Sequence, residues 1–201
     1  YVSPYEPLPL FDVSTRKMRN SHLSVHLLRA GSKVNLWLPD FDHVKHKKLV
    51  YSEKLIPNNY DGLTLTLIPS TEYSYDVSIK RYFQSKYVAV RFFFKAIRHD
   101  KKPDIIISQV PSLDLAFACF ILSKIFKCKF VVDIRDLWPN ILKQALPAKL
   151  SFLFKIVFWI DISFAKYIYK NSEHLCSVSK SFLDNLELEY ERNINNDRVF
   201  H

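Results

Sequence analysis

Apolar runs alternate along the chain with segments of helical spacing. Two of the runs, Ile105–Ile107 and Phe130–Val132, are continuous, which is typical of strands covered on both faces of a parallel sheet. Strands that alternate with helices imply right-handed crossovers, so the pattern predicts an α/β fold with a doubly wound parallel sheet flanked by helices. The predicted strands are Tyr1–Ser3, Val34–Leu38, Leu63–Ile68, Ile105–Ser108, Lys129–Val132, His174–Ser177 and Arg198–Phe200; the predicted helices are Ser14–Ala30, Ser78–His99, Leu113–Phe126, Leu146–Lys170 and Lys180–Glu189.

The loops after the strands are where function is expected. Ligands of doubly wound sheets bind at the carboxyl ends of the strands. The segment Asp40–Asn59 is polar and is predicted as a loop. The loops at the carboxyl ends are Ser3–Thr15, Pro39–His46, Ser108–Asp114, Asp133–Asn140 and Ser177–Ser181.

Glycine usage argues against several nucleotide-binding classes. The chain has only two glycines, Gly31 and Gly62, and neither GxGxxG nor GxxxxGK[ST] occurs. Close approach of backbone to a pyrophosphate depends on such glycines, so binding of NAD or ATP by this domain alone is disfavoured. The chain also contains no G-x-S-x-G elbow and no His/Cys cluster with zinc spacing, so neither a metal nor another cofactor is expected.

The charge balance favours anionic partners. The 201 residues carry 29 Lys and Arg against 20 Asp and Glu, a net charge of +9. Such an excess suits phosphates, anionic lipid or nucleic acid. Three cysteines without CxxC spacing favour a reduced, cytoplasmic protein. The apolar stretch Leu150–Ala165 falls short of the ~20 residues that a membrane span needs, so we interpret it as a buried or membrane-surface helix.

Chemistry-bearing residues concentrate in the segment Val131–Asn140. A buried strand delivers Arg135 and Asp136 to its carboxyl end, and Trp138 and Pro139 then turn the chain into the next helix. A guanidinium and a carboxylate in this place are positioned to meet a polar ligand. The alternative interpretation is a structural Arg–Asp pair beside a core tryptophan.

This segment resembles the Asp-Leu-Trp-Pro motif at a strand end of GT-B-fold retaining glycosyltransferases of the family 4-like type, which build surface polysaccharides such as O-antigen. Further segments resemble that family in order and spacing, and the resemblance covers nearly all of the chain. They are Trp37–Lys48 with its Phe-Asp-His-Lys loop, Gly62–Pro69 with Tyr73 and Ile79–Arg81, Pro103–Ser112, and the Ser-Val-Ser strand end in His174–Ser181.

The resemblance implies two Rossmann-like domains that face each other across a cleft. The first binds the acceptor and the second binds the nucleotide of the donor, so residues 1–201 are expected to be a single N-terminal, acceptor-side domain. The C-terminal nucleotide-sugar-binding domain would lie outside this chain, and these residues alone would be inactive. The implied function is transfer of a sugar from a nucleotide-sugar donor to a lipid-linked or polysaccharide acceptor in cell-surface glycan synthesis.

Two positions depart from the family pattern. Many relatives carry a Gly-rich loop after the first strand, where this chain has Ser3–Pro9, and many carry His-Asp where this chain has Arg135-Asp136. Arg stays protonated and cannot act as a base, but it can stabilise charge on a departing diphosphate. We therefore expect Arg135 to stabilise the anion and Asp136 to orient the sugar.

The basic segment Asp42–Lys48, predicted as part of a loop, supplies the next candidates. His43 could serve as the base for an acceptor hydroxyl because imidazole titrates near neutrality. The alternative is a solvated basic loop without a ligand. The residues expected to bind the acceptor or its anionic group are Tyr5, Glu6, Lys45, Lys47, Arg81, Gln109 and Trp138.

The predicted helices Ser78–His99 and Leu146–Lys170 combine basic and aromatic residues. This combination suits the surface of an anionic membrane. Lipid-linked acceptors in the family agree with a cytoplasmic protein that can lie peripherally on the inner face of the plasma membrane. Ordinary amphipathic packing with snorkelling lysines is the alternative. The residues expected to contact the membrane are Arg91, Lys95, Lys155, Trp159 and Lys166.

Two other function classes compete with glycosyl transfer. A non-catalytic membrane-surface or regulatory α/β module would explain the basic aromatic helices but gives no role to Asp136. A nucleic-acid binder is supported by charge alone, since the sequence has no RNP-like aromatic motif and no zinc finger. Nucleic acid is therefore not an expected partner.

Overall fold

A computed structural model describes residues 1–4, 19–42, 46–48, 60–73, 79–141 and 151–200, without the side chains of 151–153. These residues form an α/β architecture of parallel sheets flanked by helices. The chain divides into two compact units, Tyr1–Lys95 and Ala96–His201. The helices are α1 (Arg19–Arg29), α2 (Ile79–Ile97), α3 (Leu113–Phe126), α4 (Ser151–Val157), α5 (Trp159–Asn171) and α6 (Lys180–Tyr190), and the strands are β1 (Val34–Pro39), β2 (Phe41–Asp42), β3 (Lys47–Lys48), β4 (Leu63–Ile68), β5 (Ile105–Val110), β6 (Lys129–Ile134), β7 (His174–Ser177) and β8 (Arg198–Val199).

The first unit is built on two parallel strands. β1 pairs with β4 from Val34↔Leu63 to Pro39↔Ile68. On the other edge of β1, the backbone carbonyl of Trp37 accepts a hydrogen bond from the Ser3 amide at 3.0 Å. The backbone amide of Trp37 donates one to the Tyr1 carbonyl at 2.8 Å. The first residues therefore run parallel to β1, as predicted for Tyr1–Ser3.

Alternation along β1 places a helix against each face of the sheet. Leu36 and the residues two positions before and after it in β1 form a core cluster with Leu65 of β4. Leu28 of α1 packs against this cluster. Trp37 points the other way and meets the edge of Phe92 of α2, with ring centroids 5.3 Å apart. Both rings are buried, so this contact holds α2 on the second face.

The second unit carries the parallel sheet β5-β6-β7-β8. Phe130 and its even-numbered neighbours in β6 are fully buried, and Phe120 of α3 packs on Phe130 with ring centroids 5.8 Å apart. Burial raises the pKa of the Cys119 thiol of α3 to about 12, although a hydrogen bond with Ser108 of β5 opposes that shift. Cys119 is therefore a neutral core residue on the helix-covered face of the sheet.

The structure corrects four of the predicted elements. Strands β5 and β6 continue to Val110 and Ile134, each two residues beyond the predicted end. The described part of the helix predicted over Leu146–Lys170 is two helices, α4 and α5, separated at Phe158. The polar segment predicted as a loop over Asp40–Asn59 contains the short antiparallel pair β2–β3. The other described strands and helices are confirmed with small shifts at their ends.

Candidate functional site

Polar side chains line up across three strands near the carboxyl end of the second unit's sheet. Gln109 of β5 lies in register with Asp133 of β6, which lies in register with Cys176 of β7. Residues in register on parallel strands project to the same face, so the three share one face. Gln109 and Asp133 are each only 2% exposed. Because Val132 and Ile134 project to the opposite face, the apolar core lies behind this polar row.

Asp133 is paired with Arg135, two residues further along the same side of the chain. The Arg135 Nε lies 3.6 Å from Oδ2 of Asp133, and the Arg135 side chain is 20% exposed. A buried carboxylate is costly unless a cation compensates it, and the same attraction restricts the orientation of the guanidinium. At the end of β6 the partly exposed side chain of Arg135 is therefore paired with a buried carboxylate.

Asp136 and Trp138 lie in the turn that follows β6. The Arg135 amide donates to the Val110 carbonyl of β5 at 3.3 Å, and the Trp138 amide donates to the Asp136 carbonyl at 2.8 Å. The Trp138–Pro139 peptide is cis. Both Asp136 and Trp138 are half-buried. The turn is tied to β5 by its backbone while the Asp136 carboxylate stays partly accessible.

A side chain of helix α5 is hydrogen-bonded to this turn. The Tyr169 hydroxyl donates a hydrogen bond to the Trp138 carbonyl at 3.1 Å. Burial raises the pKa of Tyr169 far above its usual range, and nearby acidic groups, among them Glu189 and Asp136, raise it further. Tyr169 is therefore a neutral donor at physiological pH. The Asn140 amide also donates to Glu189, which ties the turn to α6.

In the first unit, a basic and aromatic cluster follows the ends of β1 and β4. Lys47 is exposed and lies opposite Asp42 in the β2–β3 pair. Tyr73 follows β4 and is buried, and the guanidinium carbon of Arg81, in the first turn of α2, lies 5.8 Å from the centre of its ring. The geometry is that of a cation–π contact. These groups form a second candidate site, described within its own unit.

The predicted site residues fall into three sets. The structure brings Gln109, Arg135, Asp136 and Trp138 to one end of the sheet of the second unit. In the first unit it places Arg81 beside Tyr73, and Lys47 opposite Asp42. The roles of all of these stay predictions, as do those of Tyr5, Glu6, His43 and Lys45, which lie outside the described residues.

The predicted membrane-contact residues lie on the surface. Arg91, Lys95, Lys155, Trp159 and Lys166 are all exposed. Not every aromatic residue of the long helical segment joins them, however. Phe154 is buried, and the ring of Phe164 stacks on Phe117 of α3 with centroids 4.1 Å apart. The exposed aromatic surface of α4 and α5 is therefore narrower than the sequence pattern predicts.

Sequence reasoning missed two residues of these sites. The apolar run ends at Val132 and so predicts Asp133 in a loop, yet the two-residue spacing from Asp133 to Arg135 is a signal that both share one face of a strand. In the sequence, His46 is only one member of the basic segment Asp42–Lys48. Its Nδ1 lies 3.2 Å from the Tyr73 carbonyl oxygen, a contact between residues 27 positions apart that no local pattern indicates.

The described residues contain no group of three or more His, Cys, Asp or Glu side chains placed to hold a metal ion. Among the helices that are described, none is both long and apolar enough to cross a membrane.

Comparison with known proteins finds no protein-family model and no curated protein that matches this chain.

Proposed function

We propose that this chain is the acceptor-binding domain of a retaining GT-B-type glycosyltransferase, which moves a sugar from a nucleotide-sugar donor to a lipid-linked or polysaccharide acceptor. The observation that carries the proposal is the arrangement at the end of β6. There, buried Asp133 is paired with the partly exposed side chain of Arg135, and Asp136 follows in the next turn. Ligands of parallel α/β sheets bind at this end of the strands.

The chemistry of sugar transfer makes use of these two groups. When the bond from the anomeric carbon to the donor oxygen breaks, negative charge develops on the departing nucleoside diphosphate. A guanidinium held in place before the reaction stabilises that charge without reorganisation. The Asp136 carboxylate can accept hydrogen bonds from sugar hydroxyls and so orient the acceptor or the donor sugar.

The strand order within each unit supports a Rossmann-like assignment. In the first unit β1 has β4 on one edge and the initial residues on the other, so the chain order across it is third, second, first. In the second unit β5, β6, β7 and β8 follow one another in chain order. Each order, taken within its own unit, is one that a half of a doubly wound fold has.

Both glycines of the chain serve backbone turns, which supports placing the nucleotide on another domain. Gly31 ends α1 with φ at 82°, and its amide donates to the Leu28 carbonyl at 2.9 Å. Gly62 also has φ at 82° and precedes β4. Neither lies in a strand-to-helix turn of the kind that cradles a pyrophosphate. The donor nucleotide would accordingly bind mainly to a C-terminal domain.

A membrane-surface role is the second candidate, and the exposed side of α2 favours it. Phe83, Tyr87, Val90 and Phe94 are spaced by four, three and four residues and are 42–62% exposed. Helix α2 has no acidic residue. An apolar stripe on a cationic helix suits an anionic lipid surface, and it agrees equally with an enzyme whose acceptor is lipid-linked.

Variants at the end of β6 test the proposal in the intact protein purified from its native host. Transfer from a panel of radiolabelled UDP-, GDP- and ADP-sugars to lipids of the host membrane would be measured. Arg135→Ala and Asp136→Ala are each expected to lower kcat by about 10²–10³, as loss of a positioned charge-stabilising group does. Arg98→Ala and Asp100→Ala, at exposed positions, are the matched controls and keep full activity.

Two results would overturn the assignment. Full activity of both Arg135→Ala and Asp136→Ala would contradict the assignment of the site to the end of β6. Absence of transfer with every donor would contradict the proposed activity. The intact mass bears on the second domain: roughly twice the 23.7 kDa of these 201 residues is expected for a protein with two domains of this size.

A further inference from the structure

The junction between α4 and α5 in the second unit presents a cluster of exposed apolar side chains. Ile156 and Val157 end α4 and Trp159 begins α5. These three side chains, called the α4–α5 tip below, are 64%, 61% and 62% exposed. Adjacent apolar side chains that are this accessible are typical of surfaces that contact a membrane or another protein.

The backbone that carries the tip is anchored in the second unit. Phe154 is buried, and its ring lies 5.2 Å from that of Phe158. Backbone hydrogen bonds of 2.9 Å run from Phe158 to Phe154 and from Ile162 to Phe158. Further along α5, the ring of Phe164 stacks on Phe117 of α3. The tip therefore belongs to a helical segment that is held on both sides of the junction.

The charge beside the tip is complementary to an anionic surface. Helices α4 and α5 together contain three lysines and one acid, Asp161. Asp161 is buried, whereas Lys155 and Lys166 are exposed. The third lysine, Lys170, lies 3.9 Å from Glu191. Lys155 and Lys166 favour anionic headgroups over a second copy of this chain, which would bring the same lysines together.

The spacing along α5 suits insertion of the tip alone. Lys166 follows Trp159 by seven residues, which is about 10 Å along a helix axis. Membrane-surface segments bury apolar side chains about 5–10 Å into the boundary between headgroups and acyl chains. With Trp159 at that depth, the Lys166 ammonium lies at the level of the lipid phosphates. Between them, the Ser163 hydroxyl donates to the Trp159 carbonyl at 2.7 Å, so this polar group near the tip is satisfied within the helix.

The tip lies toward the end of the second unit that carries Arg135 and Asp136. Strands β6 and β7 are parallel neighbours, so the chain between them must return from the carboxyl end of β6 to the amino end of β7. Helix α5 ends at Asn171, shortly before β7 begins at His174. Its first residue, in the tip, therefore lies toward the carboxyl ends of the strands, the side of the candidate site.

We propose that the α4–α5 tip inserts into the surface of an anionic membrane, with its three apolar side chains among the acyl chains and Lys155 and Lys166 at the lipid phosphates. This docking goes beyond the proposed function, because it requires neither a donor sugar nor an acceptor. Its residues are also separate from the apolar stripe of α2. Binding combines apolar burial with attraction to anionic lipid, so it weakens as salt screens the charges.

Serine substitutions in the tip test the proposal on the intact protein. Ile156→Ser/Val157→Ser should weaken binding to vesicles of phosphatidylglycerol and phosphatidylcholine at least about tenfold, because two apolar side chains no longer enter the bilayer. Ile125→Ser/Leu188→Ser is the matched control, since these are exposed apolar side chains of the second unit outside α4 and α5. It should bind as the wild type does, with co-sedimentation as the measurement.

Trp159 reports insertion directly. On addition of vesicles its fluorescence should shift to shorter wavelength, and phosphatidylcholine with brominated acyl chains should quench it. Trp159→Phe keeps an apolar ring, so it should still bind the vesicles but lose this part of the shift and of the quenching. The difference between the wild type and Trp159→Phe isolates this residue from the other tryptophans.

Three results would overturn the proposal while leaving sugar transfer untouched. They are wild-type vesicle binding by Ile156→Ser/Val157→Ser, identical emission shifts for the wild type and Trp159→Phe, and a dimer in sedimentation equilibrium that the serine variant dissociates. The last would show that a second copy of the chain covers the tip. Trp159→Phe, a conservative change at an exposed position, gives the answer even where the serine variant fails to fold.

Discussion

Glu173 shows how a single residue couples the charge state of this protein to its fold. Its carboxylate accepts a hydrogen bond from the Phe130 amide of β6 at 2.9 Å and lies 3.3 Å from the Lys124 ammonium. Partial burial alone would raise the pKa of Glu173, but the hydrogen bonds and Lys124 outweigh it and the pKa is lowered from 4.5. The folded state therefore favours the ionised form of the Glu173 carboxylate.

The sign of this shift gives a prediction about acid stability. A folded pKa below the unfolded one stabilises the protein above pH 4.5, and that stabilisation is lost as the pH falls through the folded value. Glu173→Gln should lower Tm at pH 7 and lose less stability than the wild type between pH 5 and pH 3. Thermal unfolding followed by circular dichroism measures both, with exposed Glu187→Gln as the control. Identical acid limbs for variant and wild type would contradict the prediction.

At the scale of elements, a buried ion pair joins α5, β7 and the segment after α6. Arg192 Nε and Nη2 donate to the two carboxylate oxygens of Asp197 at 2.7 and 2.8 Å. Nη1 of Arg192 donates to the carbonyls of Tyr169 and Ser172 near the end of α5, and Asp197 also accepts from the Leu175 amide of β7. One guanidinium thus satisfies carbonyls at the end of a helix.

Removal of this guanidinium is expected to be strongly destabilising. Arg192→Met leaves a buried carboxylate and helix carbonyls without their cation, which costs about 3–5 kcal/mol of unfolding free energy. The double variant Arg192→Met/Asp197→Asn should recover part of that loss because the buried charge is gone. Urea unfolding measures both, with exposed Arg198→Met as the control. A loss of unfolding free energy for Arg192→Met no larger than that of the control would contradict this stabilising role of Arg192.

Elements also show where sequence patterns stop being sufficient. No Pro or Gly marks the break at Phe158, where the backbone has φ −105° and ψ 21°. Hydrogen bonds from Phe158 to Phe154 and from Ile162 to Phe158 continue across it. The apolar run therefore predicts one helix, while the structure has Phe154 buried and its successors Ile156 and Val157 exposed. The separation of α4 from α5 is consequently invisible to a periodicity argument.

For the molecule as a whole, the net charge of +9 and the apolar stripe of α2 lead to a prediction about lipid. The protein should bind vesicles of phosphatidylglycerol and phosphatidylcholine, and less so without the anionic lipid or at high salt, because salt screens the attraction. Phe83→Ser/Phe94→Ser should weaken binding at least about tenfold, since burial of one Phe contributes about 1.5–3 kcal/mol.

Leu188→Ser is the matched control for this vesicle experiment. Leu188 is 84% exposed on α6, so its replacement removes an exposed apolar side chain outside the α2 stripe. Co-sedimentation should show wild-type binding for this variant. Equal binding by the Phe83/Phe94 variant and the wild type, or no preference for anionic lipid, would contradict a membrane-facing α2.

By itself the sequence determined the α/β class, most of the strands and helices, and the delivery of Arg135 and Asp136 to the carboxyl end of a strand. Those features depend on local periodicity and on the direction of parallel strands, which the order of residues encodes. Only the tertiary structure decided that Asp133 is buried beneath Arg135, that His46 bonds to Tyr73, and which aromatic rings lie in the core. These depend on contacts between residues far apart in the chain, where hydrophobic and charged side chains choose among partners that local pattern does not specify.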